Sequence, residues 1–320
     1  MSAQPTPVPE GPQPVPSPAP IQKYAASIYP GPLQELPAGF VTCIQNLQKA
    51  LQMPVWFLIQ EGGLKRFQDL DYATKKAFCC SKSGLPENQK IALVLDSPGG
   101  DAKSAYQIAR FIRKRCGGFT TVIPEYAKSA ATLLSLGADK IIIGKNAELG
   151  PLDAQVYDND REQRLSALDE IQALDRLNAF ALQAVDASLF YLKRRTGKTM
   201  NVLLPGVQNF VGSMIQPLFE KIDTVHYTQM SRLLKVAEEY AIRLLQPKYS
   251  LKQATDIARH LVHEYPAHDF FVNLEDTEAA GLDCVEEAKG EVDSTLESLA
   301  EFVQDTTYIG KLQEIQEVQP

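Results

Sequence analysis

Two short stretches of this chain bring together residue types that suit acyl chemistry. The first is Asp96-Ser97-Pro98-Gly99-Gly100-Asp101, which follows the apolar run Ile91–Leu95 without a break. Adjacent glycines have no Cβ to block a ligand and can adopt positive φ, which turns backbone N–H groups outward. Such N–H groups can hold a developing oxyanion. The second is Pro124-Glu125-Tyr126-Ala127-Lys128-Ser129-Ala130-Ala131-Thr132, about 30 residues on. A serine among small residues at a helix start has an exposed hydroxyl, and the helix dipole favours negative charge on it. A serine in that place also serves as an ordinary N-cap. What distinguishes this one is the pairing: a spacing of one βαβ unit puts Ser129 and the glycines at the same sheet edge.

The elements that position these residues alternate. A helix over 39–52, strand 55–59, helix 66–81, strand 91–95, helix 102–115, strand 119–123, helix 129–137 and strand 140–143 are expected from the apolar spacing. Strands separated by helices imply a parallel sheet covered on both faces. Residues 160–260 carry almost no strand signal. Leu165, Leu168, Ile171, Leu174 and Leu177 open one long amphipathic helix, and the run from Leu233 to Leu245 is another, with Pro205 and Pro217 separating shorter pieces between them. This region reads as a helical insertion. Phe270-Phe271-Val272 and a helix over 276–281 return to the α/β core. No internal repeat is visible.

The runs LDSPGGDAKSAYQIARFIRK and IPEYAKSAATLLSLGADKIIIGKNAELGPLDAQ, in this order, resemble the Clp/crotonase superfamily. More narrowly they resemble the serine dehydrogenase proteinase family, related to signal peptide peptidase A. Lys221-Ile222-Asp223, LKVAEEYAIRLL, and His268-Asp269-Phe270 with EDTEAAGL behind it fit the same family. The resemblance spans about residues 50–285. It implies an α/β fold, a Clp/crotonase-like spiral of ββα units with a helical insertion. It implies Ser129 as nucleophile, with Gly99, Gly100 and the Ala130 N–H around the oxyanion, and it implies self-assembly into a homo-oligomer. Related sequences carry Ser-Gly-Gly where this chain has Ser129-Ala130-Ala131.

The general base stays open between several residues. The Clp protease has a histidine after its nucleophile helix; here that region is Leu149–Gln155, where Asp153 is the nearest polar candidate. Signal peptide peptidase A uses a lysine further on, and Lys193, Lys221 and Lys235 lie in the insertion. His268 precedes the last core helix and has a side chain suited to neutral pH. His268 ranks first and Lys221 second. Lys128, next to Ser129, is directed away from it in extended backbone.

The expected organisation is a disordered proline-rich tail over 1–37, an α/β core over 38–158, the helical insertion over 159–262, a return to the core over 263–290, and a C-terminal helical tail over 291–320. The tail is dispensable on this reading, and the insertion mediates self-association through its apolar stripes. Composition excludes other classes. With 32 basic and 39 acidic residues the net charge is −7, which argues against a nucleic-acid binder. Five cysteines without a C-x-x-C pair read as reduced thiols of a cytoplasmic protein. No apolar run is long enough for an integral membrane segment. Thr196-Gly197-Lys198-Thr199 lacks the upstream glycine of a P-loop, since that position is Leu192. The resulting expectation is a soluble serine peptidase, a hydrolase acting on a peptide or protein substrate, with no cofactor or metal called for. Two rivals share the fold: a catalytically silent assembly or interaction protein, and an acyl-CoA enzyme. A Gly100→Ala chain is expected to fold well and turn over poorly.

Overall fold

The computed structural model describes residues 22–80, 84–158 and 163–315. In chain order the elements are β1 (Tyr24–Ala26), α1 (Ala38–Leu51), β2 (Val55–Ile59), α2 (Tyr72–Phe78), β3 (Ile91–Asp96), α3 (Ala102–Cys116), β4 (Phe119–Ile123), β5 (Tyr126–Ala127), α4 (Ala130–Ser135), β6 (Lys140–Ile143) and β7 (Glu148–Leu149). Then follow β8 (Gln155–Asp158), β9 (Gln163–Ser166), α5 (Ala167–Thr196), α6 (Met200–Phe219), α7 (Thr224–Leu245), α8 (Leu251–His263), α9 (Leu274–Ala279), β10 (Val285–Glu287), α10 (Glu291–Ala300), β11 (Tyr308–Gly310) and β12 (Leu312–Glu314).

The main sheet has the order β10-β6-β4-β3-β2-β11 and is parallel except for β11, which runs antiparallel to β2. β2 is apolar throughout and β3 is apolar up to Leu95, because both faces of the sheet are covered there. On β2 and β3, Trp56, Leu58, Ile91, Leu93 and Leu95 face one layer of helices. Phe57, Ile59, Ala92 and Val94 face the other layer, where α1 and α10 pack. Each large side chain removed from water in this way contributes roughly 1.5–3 kcal/mol.

A second row of short extended segments lies beside the main sheet. Leu70 bridges Gly100, Ser97 bridges Ala127, β5 pairs with β7, and Leu149 bridges Val272. The backbone therefore repeats a unit that side chains do not advertise: long strand, short second-row segment, helix. β2 with Leu70 and α2, β3 with 97–100 and α3, and β4 with β5 and α4 are three successive turns of this ββα spiral.

Several expectations change. The helix expected over 66–81 is confined to α2, because Gln60 Nε2 holds the carbonyls of Phe67 (2.8 Å) and Asp69 (2.6 Å) and Leu70 is drawn into the second row. Pro205 and Pro217 do not split the insertion: α6 runs through both, kept on α5 by Val207, Val211 and Ile215. Val272 forms a single bridge in place of a strand. Residues 1–21 lie outside the described residues, but the boundary at 37 does not hold. Ala25 and Ala26 are fully buried, and β1 pairs with β12. For the same reason 291–320 is not a purely helical tail, since β11 closes one edge of the main sheet. Among the described residues, no helix is long and apolar enough to cross a membrane.

Candidate active site

The site forms where the main strands end and the second row begins. Asp96 ends β3, and its Oδ2 accepts from the N–H groups of Glu125 (3.1 Å) and Tyr126 (3.2 Å), which ties the turn after β4 to the end of β3. Its other oxygen is buried and has no hydrogen-bond partner among the described residues. Desolvation, only partly offset by those two N–H donors, pushes the Asp96 pKa up to about 7. Ser97 Oγ donates to Gln60 Oε1 (2.9 Å) and accepts from Gly99 N–H (3.2 Å). This buried chain of hydrogen bonds fixes the path of the glycine turn.

Ser129 has φ 51° and ψ −116°, the first central position of a type II′ turn, which Ala131 N–H closes on Lys128 O at 2.8 Å. That position favours glycine, so a serine there costs on the order of 1–3 kcal/mol. Neighbouring contacts hold the strain. The single Thr132 Oγ1 proton is shared between the carbonyls of Ala127 (2.6 Å) and Gly150 (2.8 Å), and Oγ1 accepts from Gly150 N–H (3.1 Å). Gly99 lies directly against the turn: a Cβ there would stand 2.6 Å from Lys128 O and 3.0 Å from Ser129 Cβ.

The two glycines have different roles. Gly99 N–H is taken by Ser97, so Gly99 supplies space beside Ser129 and not an oxyanion donor. Gly100 is bridged to Leu70: Leu70 N–H donates to Gly99 O and Asp101 N–H donates to Leu70 O, both at 2.8 Å. Backbone groups alternate along an extended strand, so the Gly100 N–H faces the opposite way. Ala130 N–H, at the first residue of α4, has no intrahelical acceptor. Gly100, Ala130 and Ser129 all line one cleft of about 290 Å³. A Cβ at Gly100, with φ 136°, would meet Leu70 O at 2.8 Å and Leu70 N at 2.9 Å. An alanine there strains the fold as well as the site, which corrects the expectation that stability would be spared.

Of the candidate bases, Asp153 lines the same cleft as Ser129. It is buried, and its Oδ1 accepts from Leu168 N–H at 3.3 Å. His268 does not line the cleft. Its Nδ1 is 3.8 Å from Asp153 Oδ2, beyond hydrogen-bond range, and has no hydrogen-bond partner among the described residues. Lys221 is exposed on the connection after α6, away from the cleft lining, because α7 begins there and reaches the cleft only at Leu233. Lys128 pairs with Glu148 at 2.6 Å.

Sequence reasoning missed the cleft wall. Leu233, Val236 and Ala237 of α7 close it opposite Leu133 and Leu152. Their helical spacing was legible, but not what they face. It also missed Gln60, whose only signal is a polar residue at the end of the apolar run VWFLI. Among the described residues, no group of His, Cys, Asp and Glu is arranged to hold a metal ion.

The parallel-rich main sheet, its helices and the second-row segments make a mixed α/β fold consistent with a ClpP-like one. Residues 66–198 match the model of the ClpP-like SDH-type serine proteinase family. The match contains Gly99, Gly100, Ser129 and Asp153 and ends before Lys221 and His268. The chain is also similar to two uncharacterized proteins of Methanocaldococcus jannaschii. They are 26% and 25% identical over 198 residues, 62% of this chain and 54% and 53% of theirs. The chain thus spans about half the length of these curated relatives.

Proposed function

We propose that the protein is a serine peptidase in which Ser129 attacks the carbonyl carbon of a peptide bond. The observation that carries this reading is the strained Ser129 turn, seated against Gly99 in a cleft it shares with Asp153. Backbone strain of this kind persists where function requires a particular side-chain direction. The Ser129 Oγ–carbon bond forms as its proton passes to the Asp153 carboxylate. The oxyanion is received by the N–H groups of Gly100 and Ala130. When the C–N bond breaks, the proton moves from Asp153 to the leaving amine, and water then hydrolyses the acyl-enzyme. His268 is a positioning residue behind Asp153. The apolar wall formed by Leu133, Leu152 and Leu233 suits an apolar substrate side chain. The five cysteines are unpaired, which supports action in the cytoplasm, and the protein works as an assembly of identical copies.

A fluorophosphonate probe tests the reading. The wild type is labelled, Ser129→Ala is not, and Asp153→Asn is labelled about 100-fold more slowly or worse. An unlabelled but folded wild type would leave the silent assembly module as the better account. Labelling of Asp153→Asn at the wild-type rate would remove Asp153 as the base.

A further inference from the structure

Asp96 is only 1% exposed, yet it does not line the cleft and takes no part in the bond changes at Ser129. We propose that Asp96 is a positioning residue for Ser129, whose ionised carboxylate holds the segment that presents the nucleophile; this rests on the serine-nucleophile reading above and adds control of that site by pH.

Four hydrogen bonds join Asp96 and Ser97 to the residues just before Ser129. Asp96 Oδ2 accepts from Glu125 N–H (3.1 Å) and Tyr126 N–H (3.2 Å). Ser97 N–H donates to Tyr126 O (3.1 Å), and Lys128 N–H donates to Ser97 O (3.0 Å). Ser97 Oγ in turn accepts from Gly99 N–H, so the same two residues lead into the glycine turn. The end of β3 is thus where the nucleophile segment and the glycine turn are tied together. A strained turn such as that of Ser129 persists only while its surroundings over-determine it. Two of the four bonds depend on the Asp96 carboxyl. With the carboxylate ionised they are charge-assisted and roughly twice as strong as with the neutral acid. In the neutral form Oδ1 has no hydrogen-bond partner among the described residues to take the acid proton.

The groups around Asp96 come from three segments. The turn after β4 brings Glu125, whose charge opposes ionisation of Asp96. It also brings Tyr126, whose phenol is pushed up to about 12 by burial and by the charges of Asp96, Glu125 and Asp305. From β2 comes the neutral Gln60, whose backbone N–H donates to Asp96 O at 2.8 Å. The segment after α10 adds Asp305 and Gln304, and Gln304 donates to Glu125 Oε1 at 3.2 Å. Desolvation outweighs the two N–H donors and places the ionisation of Asp96 at about pH 7. The ionisation that tightens the nucleophile segment is therefore one that burial opposes, and it falls in the neutral range.

The rate of fluorophosphonate labelling at Ser129, followed from about pH 5 to about pH 9, tests the role. In the wild type it rises roughly tenfold, with its midpoint near 7. Asp96→Asn, an isostere of the neutral acid, stays at the slow acidic level throughout and has no midpoint. Its half-saturating probe concentration is that of the wild type, because Asp96 does not line the cleft. His268→Asn keeps the midpoint, which separates Asp96 from the histidine behind Asp153. A measurement on the wild type alone covers an Asp96→Asn chain that does not fold: the amide resonances of Glu125, Tyr126 and Ser129 shift together with the same midpoint. A midpoint retained in Asp96→Asn, a midpoint lost in His268→Asn, or amide signals that do not titrate each overturn the positioning role and leave Ser129 as the nucleophile. A wild type that is not labelled at any pH overturns the nucleophile reading and the positioning role together.

Discussion

The α/β core and the helical arm are built from similar fractions of apolar residues, yet they use them differently. In β2 and β3 every side chain is buried, alternately against two helical layers. In α6 only Val207, Val211 and Ile215 are buried, while Val202 and Phe210 are each 62% exposed. The core has packing on all sides and can hold a strained Ser129 in place. The arm buries one row, so its remaining apolar surface is free to meet something else. Rigid packing goes with the candidate chemistry, and incomplete packing goes with the candidate contact.

Substitutions should separate the two regions by size of effect. The largest is expected at Gly99→Ala. Its Cβ would overlap Lys128 O at a φ of 108°, so the Ser129 turn must move. Peptide turnover should fall more than ~100-fold, with a loss of several kcal/mol in stability read by thermal melting. Turnover near the wild-type rate would show that Gly99 does not constrain the nucleophile. Leu93→Ala, fully buried in β3, should cost ~2–5 kcal/mol through the cavity it leaves. A denaturant titration that moves by less than the lower bound would mean that the core relaxes as freely as the arm.

A smaller effect concerns pH. Folding raises the Asp96 pKa from 3.8 to about 7, so the folded chain binds more proton between those values than the unfolded chain. Stability from this group is fully present below about pH 4, falls as pH rises to about 7, and is level above that. Asp96→Asn keeps an acceptor for Glu125 and Tyr126 and should flatten that part of the profile, by a few kcal/mol at most. Denaturant midpoints at pH 5 and pH 8 measure it; an unchanged difference between them in the variant would rule out Asp96 as the source. The smallest effect is expected at Val211→Ala in the arm, about 1 kcal/mol or less, because the surrounding surface can collapse around the missing methyl groups. A loss as large as that of Leu93→Ala would mean that the arm and the core unfold as one rigid body and that the contrast between them is false.

The sequence alone was enough for the parallel α/β class, for the alternation of main strands and helices along the chain, and for placing the glycine turn and Ser129 at the ends of neighbouring strands. Those features are local: apolar runs of strand length, helical spacing, and glycine or serine at the ends of strands announce themselves within a few residues. It also placed Asp153 among the candidates, though only by analogy of position. What the tertiary structure decided depends on contacts between distant segments. The second row of the spiral joins single residues such as Leu70, Ser97, Ala127 and Val272, each too short to leave a strand pattern. The different roles of Gly99 and Gly100 follow from which neighbour takes each N–H, and nothing in Pro-Gly-Gly specifies that. That Leu233 lines the cleft while Lys221 does not follows from where α7 crosses the core. Residue type fixes what a group can do, while the packing of remote elements fixes which groups meet.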